Sequence, residues 1–343
     1  MTLAPPPSIL FICDFPPGFT GARHHEDGVG GTEALVVVLA ETLARRGIDV
    51  TVAAQIPAAS GFRGVSYVPV DPTPRRAAVT VLVKRWSAAA AGAAAPRVFL
   101  ATDVHVPDAA ELARNIAWST VSAALSSFMR ASLTAVVPAP RMAILPPPLA
   151  LEDYPTSLDG RGPVLLYCSM PDRGLYYLKD LFPAIRRRVP DATLAITSDF
   201  SLWGKPAAKE AFERFFTNHS GVTYLGHVDR STLLAEQRRA RVMAYPCSFP
   251  EGFCIAAAEC MAAGTVPVTT NAFALSTTVD DAGVLIDGRP RSWFYRRRFV
   301  RAEVRLLTDD AYWLQRSEAC RRRAQSWDAP LVADRFLGLI AES

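Results

Sequence analysis

Short apolar runs alternate with helical stretches along the first half of the chain. The run at residues 8–15 is almost continuously apolar, as expected of a buried strand in a parallel sheet. It is followed by a helical pattern at residues 32–47, for which Thr32 is the predicted N-cap and Gly47 the predicted C-cap. Further strands are predicted at IDVTVAAQ, VSYVPV, VTVLVKRW, RVFLATDV, AWSTVSA and RMAILPPPL. This alternation favours a doubly wound α/β sheet.

A second alternating set follows residues 138–163, which hold seven prolines and which we interpret as an inter-domain linker. The set consists of the strands PVLLYCS, TLAITSDF, VTYLGHV and RVMAYPC and of helices at 175–188 and 231–240. The pattern therefore predicts two Rossmann-like domains, 1–150 and 151–326, and a final helix within 327–343 that can cross back to the first domain.

The stretch 245–275 places two glutamates, Glu251 and Glu259, around the start of a predicted helix. Residues 254–263 are small or apolar helix formers, and Gly264 stands where a helix end favours a left-handed residue. The run TVPVTT then predicts a short buried strand. Along a continuous helix the two glutamates would be about 12 Å apart, whereas a retaining glycosidase needs its carboxyl groups at roughly 5 Å. We therefore expect the two glutamates to have separate roles.

The string EGFCIAAAE, from Glu251 to Glu259, resembles the E-x7-E signature of retaining glycosyltransferases with the GT-B fold, especially family 4 (glycosyl transferases group 1). The resemblance implies an α/β chain of two Rossmann-like doubly wound domains that face a central cleft. It implies that Glu251 lies beside the donor sugar and that Glu259 binds the ribose of the nucleotide. The donor phosphate and sugar hydroxyls would be held by the backbone amides at Gly252, Phe253, Cys254 and Ile255. The amides at the start of a helix lack intrahelical partners and can receive an anion.

The segment 168–185, CSMPDRGLYYLKDLFPAI, resembles the phosphate-binding segment of the family, in which two cations neutralise the diphosphate. Arg173 matches the position just before the glycine, and its planar guanidinium suits a phosphate. The upstream cation of the family is replaced by Cys168 or Ser169, and Lys179 is a candidate substitute. A cation at a helix N-terminus also opposes the helix dipole unless an anion is present. We therefore predict that Arg173 binds the donor and acts in catalysis, against the alternative of an exposed residue at a helix start.

The loop DGVGGTE at 27–33 is a candidate in the first domain. Gly30 and Gly31 let the backbone approach a ligand closely, at the mouth of the first long helix. The loop resembles the Gly-Gly loop that faces the donor phosphates and the acceptor in the family, and a plain turn is the alternative. It is not a G-x-G-x-x-G fingerprint, so dinucleotide binding is disfavoured.

The segment FLATDVH ends a predicted strand of the first domain, where ligands of α/β proteins bind. Relatives in the family carry a histidine here that contacts the donor sugar or the acceptor. This chain has Thr102 and Asp103 at the matching place, with His105 displaced. All three are candidate contacts, and an ordinary loop histidine is the alternative for His105.

Residues 289–305 contain seven arginines and one glutamate, interleaved with four aromatic residues. This composition fits contact with an anionic membrane surface or an anionic acceptor. A solvated helix face with snorkelling arginines is an equal alternative. No reader motif accompanies the segment, so a nucleic-acid partner is not expected.

Composition narrows the class of protein further. The chain has 343 residues, half of them hydrophobic, enough for two domains with their own cores. Six scattered cysteines form no C-x-x-C pair, and we interpret them as buried thiols of a reducing compartment. The net charge of +4 is too small to indicate nucleic-acid binding. No apolar run reaches the ~18 residues of a spanning helix, and the start lacks a basic signal-peptide region, so we expect a cytoplasmic protein.

The motif and the resemblance together predict a retaining glycosyltransferase that moves a sugar from a nucleotide-diphosphate sugar to an acceptor. The acceptor can be a glycan, a lipid-linked molecule or a small molecule. Glu251 and Arg173 are the predicted catalytic residues, and neither a metal nor another cofactor is expected, because Arg173 and the amides can stabilise the leaving diphosphate. The open alternatives are a catalytically idle module that binds a sugar nucleotide or a glycan, and a nucleotide-sugar epimerase on the same scaffold. A phosphorylase is disfavoured, because no lysine stands in a context that suits pyridoxal binding.

Overall fold

The computed structural model describes residues 6–73, 75–104, 108–154, 157–158, 160–201, 214, 216 and 219–342. The chain forms two compact units, each with its own sheet. The first unit comprises Met1–His25, Val29–Ala150 and Trp327–Ser343, and the second comprises Glu26–Gly28 and Leu151–Ser326. The predicted α/β class with two Rossmann-like units is confirmed.

Across the described residues of the first unit, eight strands form one sheet. The strands are β1 (Ser8–Cys13), β2 (Asp49–Ala54), β3 (Ser60–Phe62), β4 (Val65–Pro69), β5 (Val79–Val83), β6 (Arg97–Leu100), β7 (Val121–Ala124) and β8 (Met142–Ile144). Their order is β3-β4-β2-β1-β5-β6-β7-β8, and the pairs are parallel except for β3 with β4. The helices that precede the second unit are α1 (Gly21–Glu26), α2 (Gly31–Ala44), α3 (Ala109–Trp118) and α4 (Ser127–Val136).

Two predicted boundaries in the first unit are wrong. Residues up to Trp118 of the predicted strand AWSTVSA belong to α3, whose start is capped by the side chain of Asp108, and β7 begins only at Val121. Helix α2 has Gly30 as its N-cap instead of Thr32. A Cβ at Gly30 would lie 2.5 Å from Glu33 Oε2, so glycine leaves room for this carboxylate at the helix start.

In the described part of the second unit, six parallel strands form the sheet. They are β9 (Val164–Tyr167), β10 (Thr193–Ile196), β11 (Val222–Tyr224), β12 (Val242–Tyr245), β13 (Val266–Thr270) and β14 (Val284–Ile286), in the order β11-β10-β9-β12-β13-β14. The helices of this unit include α5 (Leu175–Arg186), α6 (Arg230–Arg239), α7 (Ile255–Ala262), α8 (Leu275–Thr278), α9 (Trp293–Thr308) and α10 (Asp310–Ala324). The strands β9, β12 and β13 are buried throughout, as apolar runs at the centre of a parallel sheet should be.

Helix α7 differs from its prediction at the N-terminus. It begins at Ile255 and has Cys254 as its N-cap, in a left-handed conformation with φ 75°. Glu251 therefore lies in the preceding loop, and the two glutamates do not lie on one continuous helix. The predicted end of the helix is confirmed, because Gly264 has φ 79° just after it.

The last helix, α11 (Ala329–Ala341), is part of the first unit. Its Phe336 ring stacks on Phe11 of β1, with the ring centroids 6.1 Å apart. A parallel β-bridge between Leu149 and Asp328 fixes the residue just before this helix. None of the described helices is long and apolar enough to cross a membrane.

Candidate functional site

Glu251, which is buried, and Arg173, which is partly exposed, form an ion pair at the carboxyl end of the second sheet. Arg173 Nη1 donates to Oε1 and Oε2 of Glu251 at 2.8 and 2.9 Å. The Glu251 side chain is 5% exposed and that of Arg173 is 25% exposed. Arg173 ends a 3-10 turn, Pro171–Arg173, just before α5, and Glu251 follows β12. The anion beside this helix start is thus the protein's own carboxylate, and the charge of Arg173 does not by itself require a bound ligand.

Aromatic and backbone contacts hold this pair in place. The Arg173 guanidinium lies 4.4 Å from the centroid of the Phe249 ring. The carbonyl oxygen of Glu251 accepts from the backbone N–H of Ala274, and that of Phe253 accepts from the Thr278 hydroxyl at 2.7 Å. Helix α8 therefore braces the loop that carries Glu251.

Tyr245 extends the cluster on its buried side. Its hydroxyl donates to Glu251 Oε1 and accepts from Ser169 Oγ at 3.1 Å. Burial, and then the charge of Glu251, raises the pKa of Tyr245 well above its usual range, so the hydroxyl stays protonated as a donor. Glu251 is held from two sides, by a cation and by a neutral hydroxyl.

Arg173 stays charged in this setting. Burial lowers its pKa, but the charge and hydrogen bonds of Glu251, together with the nearby Tyr245 and Cys254, raise it by more, so the pKa of Arg173 is raised overall. Within the described residues, the Nε atom of Arg173 is buried and has no hydrogen-bond partner. An unsatisfied N–H on a charged guanidinium is costly to bury and can donate to an anion.

Glu259, in the second turn of α7, is paired in the same way. Its Oε1 accepts from Arg230 Nη1 at 2.7 Å, and its Oε2 accepts from Gln237 Nε2 at 3.3 Å. Arg230 Nη2 also donates to the Tyr154 hydroxyl at 3.1 Å. The side chains of Arg230 and Glu259 are 11% and 10% exposed. The carboxylate is therefore fixed in one orientation by α6.

Arg230 also stays protonated. Burial lowers the pKa of Arg230, but Glu259 and Tyr154 together raise it by more, so the pKa is raised overall. Its Nε atom likewise has no hydrogen-bond partner among the described residues. The two glutamates of the motif thus each have an arginine partner, Arg173 for Glu251 and Arg230 for Glu259.

A third arginine joins the ends of the two helices that carry this second pair. Arg161 Nη1 donates to Ala240 O at 2.7 Å and to Thr265 Oγ1 at 3.0 Å, and Nη2 donates to Ala263 O. Ala240 and Ala263 are the C-caps of α6 and α7, where a cation is favourable. Burial lowers the pKa of Arg161 to about 10, which leaves it charged at neutral pH.

The other predicted residues of the second unit are arranged differently. Gly252 and Phe253 lie in the loop before α7, and Cys254 and Ile255 open the helix. Lys179 lies on α5 with its Nζ atom 6.0 Å from the ring centroid of Tyr176, which is 61% exposed. The substitution of Lys179 for the missing family cation stays a prediction.

The sequence reasoning missed Arg230, Tyr245, Tyr154 and Gln237 as partners of the two glutamates. For Arg230 a signal existed, because it follows the N-cap Asp229 and opens α6. A cation in the first turn of a helix opposes the dipole, and the argument that drew attention to Arg173 applies to it equally. Tyr245 is the last residue of an apolar strand, and no local sequence pattern distinguishes it. Its role depends on tertiary contacts only.

In the first unit, Asp103 and Lys84 form an ion pair of 3.1 Å at the carboxyl ends of β6 and β5. Thr102 Oγ1 is buried and has no hydrogen-bond partner among the described residues, whereas His105 lies outside them. Glu33 is also close to Lys84. Burial raises the pKa of Glu33 overall, and the charge of Lys84 lowers it in part. The helix start behind Gly30 and Gly31 already holds this carboxylate.

No group of three or more possible metal ligands is found in the described ranges. All six cysteines are free thiols. What the described site offers chemically is a pair of oriented carboxylates, two guanidinium groups with spare donors, and a helix start.

The second unit and the fold of the whole chain are similar to known proteins. Residues 162–309 match the family model described as glycosyl transferases group 1. HepE from Anabaena, solved with UDP-glucose, is similar with a TM-score of 0.73 and 15% identity, over 98% of this chain and 98% of that one. Sucrose-phosphate synthase from Thermosynechococcus elongatus has a TM-score of 0.73 and 17% identity, and a glycosyltransferase from Rickettsia africae has 0.73 and 12%, each over 98% of both chains. No curated protein sequence matches. The predicted GT-B fold is therefore confirmed, and residues 162–309 are similar to the glycosyl transferases group 1 family.

Proposed function

We propose that the protein is a retaining glycosyltransferase that transfers a sugar from a nucleotide-diphosphate sugar to an acceptor without a metal ion. The observation that carries this proposal is the two ion pairs of buried glutamates, Arg173 with Glu251 and Arg230 with Glu259. They orient both glutamates of the E-x7-E motif at the carboxyl end of a parallel sheet, where α/β proteins bind ligands.

Glu259 is the proposed contact to the nucleotide ribose. Among the described residues each carboxylate oxygen of Glu259 accepts one hydrogen bond, from Arg230 or from Gln237, and each has a further lone pair for a ribose hydroxyl. Arg230 and Gln237 fix the orientation of the carboxylate before the nucleotide arrives, which lowers the ordering cost of binding. The crystal structure of the similar HepE with UDP-glucose supports a nucleotide sugar as the class of donor.

The diphosphate is the proposed ligand of Arg173 and of the amides from Gly252 to Ile255. Arg173 keeps a buried Nε–H without a partner among the described residues, and a phosphate oxygen would satisfy it. Negative charge that develops on the leaving diphosphate would be stabilised by this fixed cation and by the start of α7. These groups supply the positive charge that a divalent cation supplies elsewhere, which is our reason to propose a metal-independent reaction.

Glu251 is proposed to orient the donor sugar and to favour its cationic transition state. Because Arg173 and Tyr245 hold this carboxylate from two sides, it can serve as a fixed negative charge. We assign no protein nucleophile. Gly30, Gly31, Thr102 and Asp103 of the first unit stay proposed contacts to the donor or the acceptor.

The first experiment is a thermal-shift screen with UDP, GDP, ADP and dTDP, followed by turnover of the matching nucleotide sugars. We expect one nucleotide to stabilise the protein and its sugar ester to release nucleoside diphosphate at a rate unchanged by EDTA. Loss of turnover in EDTA, restored by magnesium or manganese, would contradict metal independence. Binding without turnover favours the idle binding module, and conversion of the sugar without release of the nucleotide favours the epimerase.

A membrane contact through residues 289–305 is a second proposal. Trp293 and Phe294 open α9 and are 59% and 70% exposed, and Arg297 lies 4.7 Å from the ring centroid of Trp293. Exposed aromatic rings among cations suit an anionic lipid surface, and we propose the cytoplasmic face of a membrane. In a sedimentation assay at low salt, the wild type should pellet with vesicles of anionic lipid, whereas Trp293→Ser/Phe294→Ser should stay in the supernatant. Equal binding of both proteins, or none, would exclude this contact.

A further inference from the structure

Two thiols are in contact beside Glu259. Cys168 follows β9, and Cys260 is the residue after Glu259 on α7. Their Sγ atoms are 3.6 Å apart, although the residues are 92 positions apart in the chain. The pair therefore connects the central strand of the second sheet to the helix that carries the proposed ribose ligand.

The two thiols differ in exposure. Cys260 is fully buried, whereas Cys168 is half-buried. Burial raises the pKa of Cys260 well above its usual range, and its contact with Cys168 raises it further. An oxidant from solution thus meets Cys168 first, and Cys260 stands directly behind it.

We propose that Cys168 and Cys260 are a modification site at which a peroxide oxidant closes a reversible disulfide. Hydrogen peroxide first converts the Cys168 thiol to a sulfenic acid and releases one water. The sulfur of Cys260 then displaces the hydroxyl group, which leaves with the Cys260 proton as a second water. In sum, two thiols lose two hydrogens and two electrons, and one peroxide is reduced to two waters. A dithiol such as dithiothreitol reverses the step by exchange.

Closure of this bond should change the adjacent site. A disulfide requires sulfurs about 2.0 Å apart, so the two sulfurs must approach each other by roughly 1.5 Å. Because Cys260 adjoins Glu259 on α7, the displacement is passed to the Glu259 carboxylate and its 2.7 Å bond to Arg230. We expect the oxidised protein to bind nucleoside diphosphate about ten-fold more weakly. This consequence rests on the proposed function, whereas formation of the bond does not.

The test treats the full-length protein with a small excess of hydrogen peroxide and counts free thiols after denaturation. The six thiols of the reduced wild type should fall to four (6 − 2) and return to six with dithiothreitol. Peptide mapping without reduction should identify one cross-link, between Cys168 and Cys260. Cys168→Ser and Cys260→Ser should each show no internal cross-link, and Cys320, fully buried elsewhere in the unit, serves as the internal control.

Several results would overturn the proposal: six thiols that persist, a cross-link between other cysteines, or conversion of Cys168 to sulfinic acid alone. Calorimetry with the nucleotide chosen by the thermal-shift screen then tests the consequence. Equal affinity of reduced and cross-linked protein would refute the coupling to Glu259. If the reduced protein binds no nucleoside diphosphate, the proposed function fails, while the peptide map still decides on the disulfide.

Discussion

The pair Arg173–Glu251 allows the most detailed prediction. In Arg173→Ala, the one hydrogen bond that the Glu251 carboxylate keeps among the described side chains is that from Tyr245, in a site where the Glu251 side chain is 5% exposed. Removing one partner of a buried pair costs about 3–5 kcal/mol. Because the Arg173 side chain is 25% exposed, water can replace part of the lost interaction. We therefore expect the free energy of unfolding to fall by about 3 kcal/mol.

The double variant Arg173→Ala/Glu251→Gln separates the buried charge from the lost packing. Since the amide that replaces the Glu251 carboxylate carries no charge, we expect the double variant to recover about 2 kcal/mol of the lost free energy of unfolding. Arg296→Ala is the matched control, because Arg296 pairs with Asp180 at 3.0 Å with both side chains largely in solvent, 41% and 56% exposed. It should change stability by less than about 1 kcal/mol.

The assay is urea denaturation of the four proteins, followed by circular dichroism, with unfolding slopes compared to verify two-state behaviour. Steady-state turnover at saturating donor is measured on the same four proteins and on Arg173→Lys, below the transition. Arg173→Ala should lower turnover about 10²-fold or more, and Arg173→Lys should recover only part, since lysine lacks the planar fork. The reasoning is refuted if Arg173→Ala costs no more stability than Arg296→Ala, or if Glu251→Gln recovers nothing in the double variant.

Three further predictions follow from buried groups of the second unit. Glu259→Gln should weaken nucleoside diphosphate binding by about 1–3 kcal/mol, and calorimetry should show a smaller loss for the 2′-deoxynucleotide if the contact is to the ribose. Glu303 is fully buried with no hydrogen-bond partner for either carboxylate oxygen among the described residues, and burial raises its pKa well above the usual range. Because the pKa is raised, the wild type loses stability as the pH rises from the ordinary carboxyl range through the raised pKa. Glu303→Gln has no charge to bury and should lose less stability over this range. The prediction is contradicted if urea titrations at pH 4 and pH 8 show the same loss in free energy of unfolding for the wild type and for Glu303→Gln. Cys254 has φ 75° at the N-cap of α7, so Cys254→Gly should be about 1 kcal/mol more stable than Cys254→Ala, and equal midpoints would mean that the backbone is not strained there.

Strongly periodic features of the fold were predictable from the chain. The apolar runs of β1, β9 and β13 indicated buried parallel strands, and the small apolar residues before Gly264 indicated α7 and its end. Boundaries were less predictable where side chains decide them. Helix α2 begins at Gly31, and a Cβ at Gly30 would meet the Glu33 carboxylate, a side-chain contact that the N-cap preference of Thr32 does not reveal.

The candidate site was predictable in its carboxylates but not in their partners. Spacing and resemblance singled out Glu251 and Glu259, because their positions depend on the local chain. Arg173 was found, but the anion beside it is Glu251, 78 positions away. Arg230 joins Glu259 across 29 positions, from the start of a different helix. Such pairs depend on how α5, α6 and α7 meet at the end of the sheet, which a single sequence does not encode in any short pattern.

The central claim is tested most directly by the configuration of the released or transferred sugar. The protein is incubated with an α-linked nucleotide sugar that carries the nucleotide chosen by the thermal-shift screen and that is turned over, and proton NMR records the anomeric signal before mutarotation. A retaining glycosyltransferase should yield the α-anomer together with one equivalent of nucleoside diphosphate, and Glu251→Gln should suppress both signals. A β-anomer as the first product would contradict retention, and a bound nucleotide sugar that is never cleaved with any acceptor offered would contradict the transferase itself.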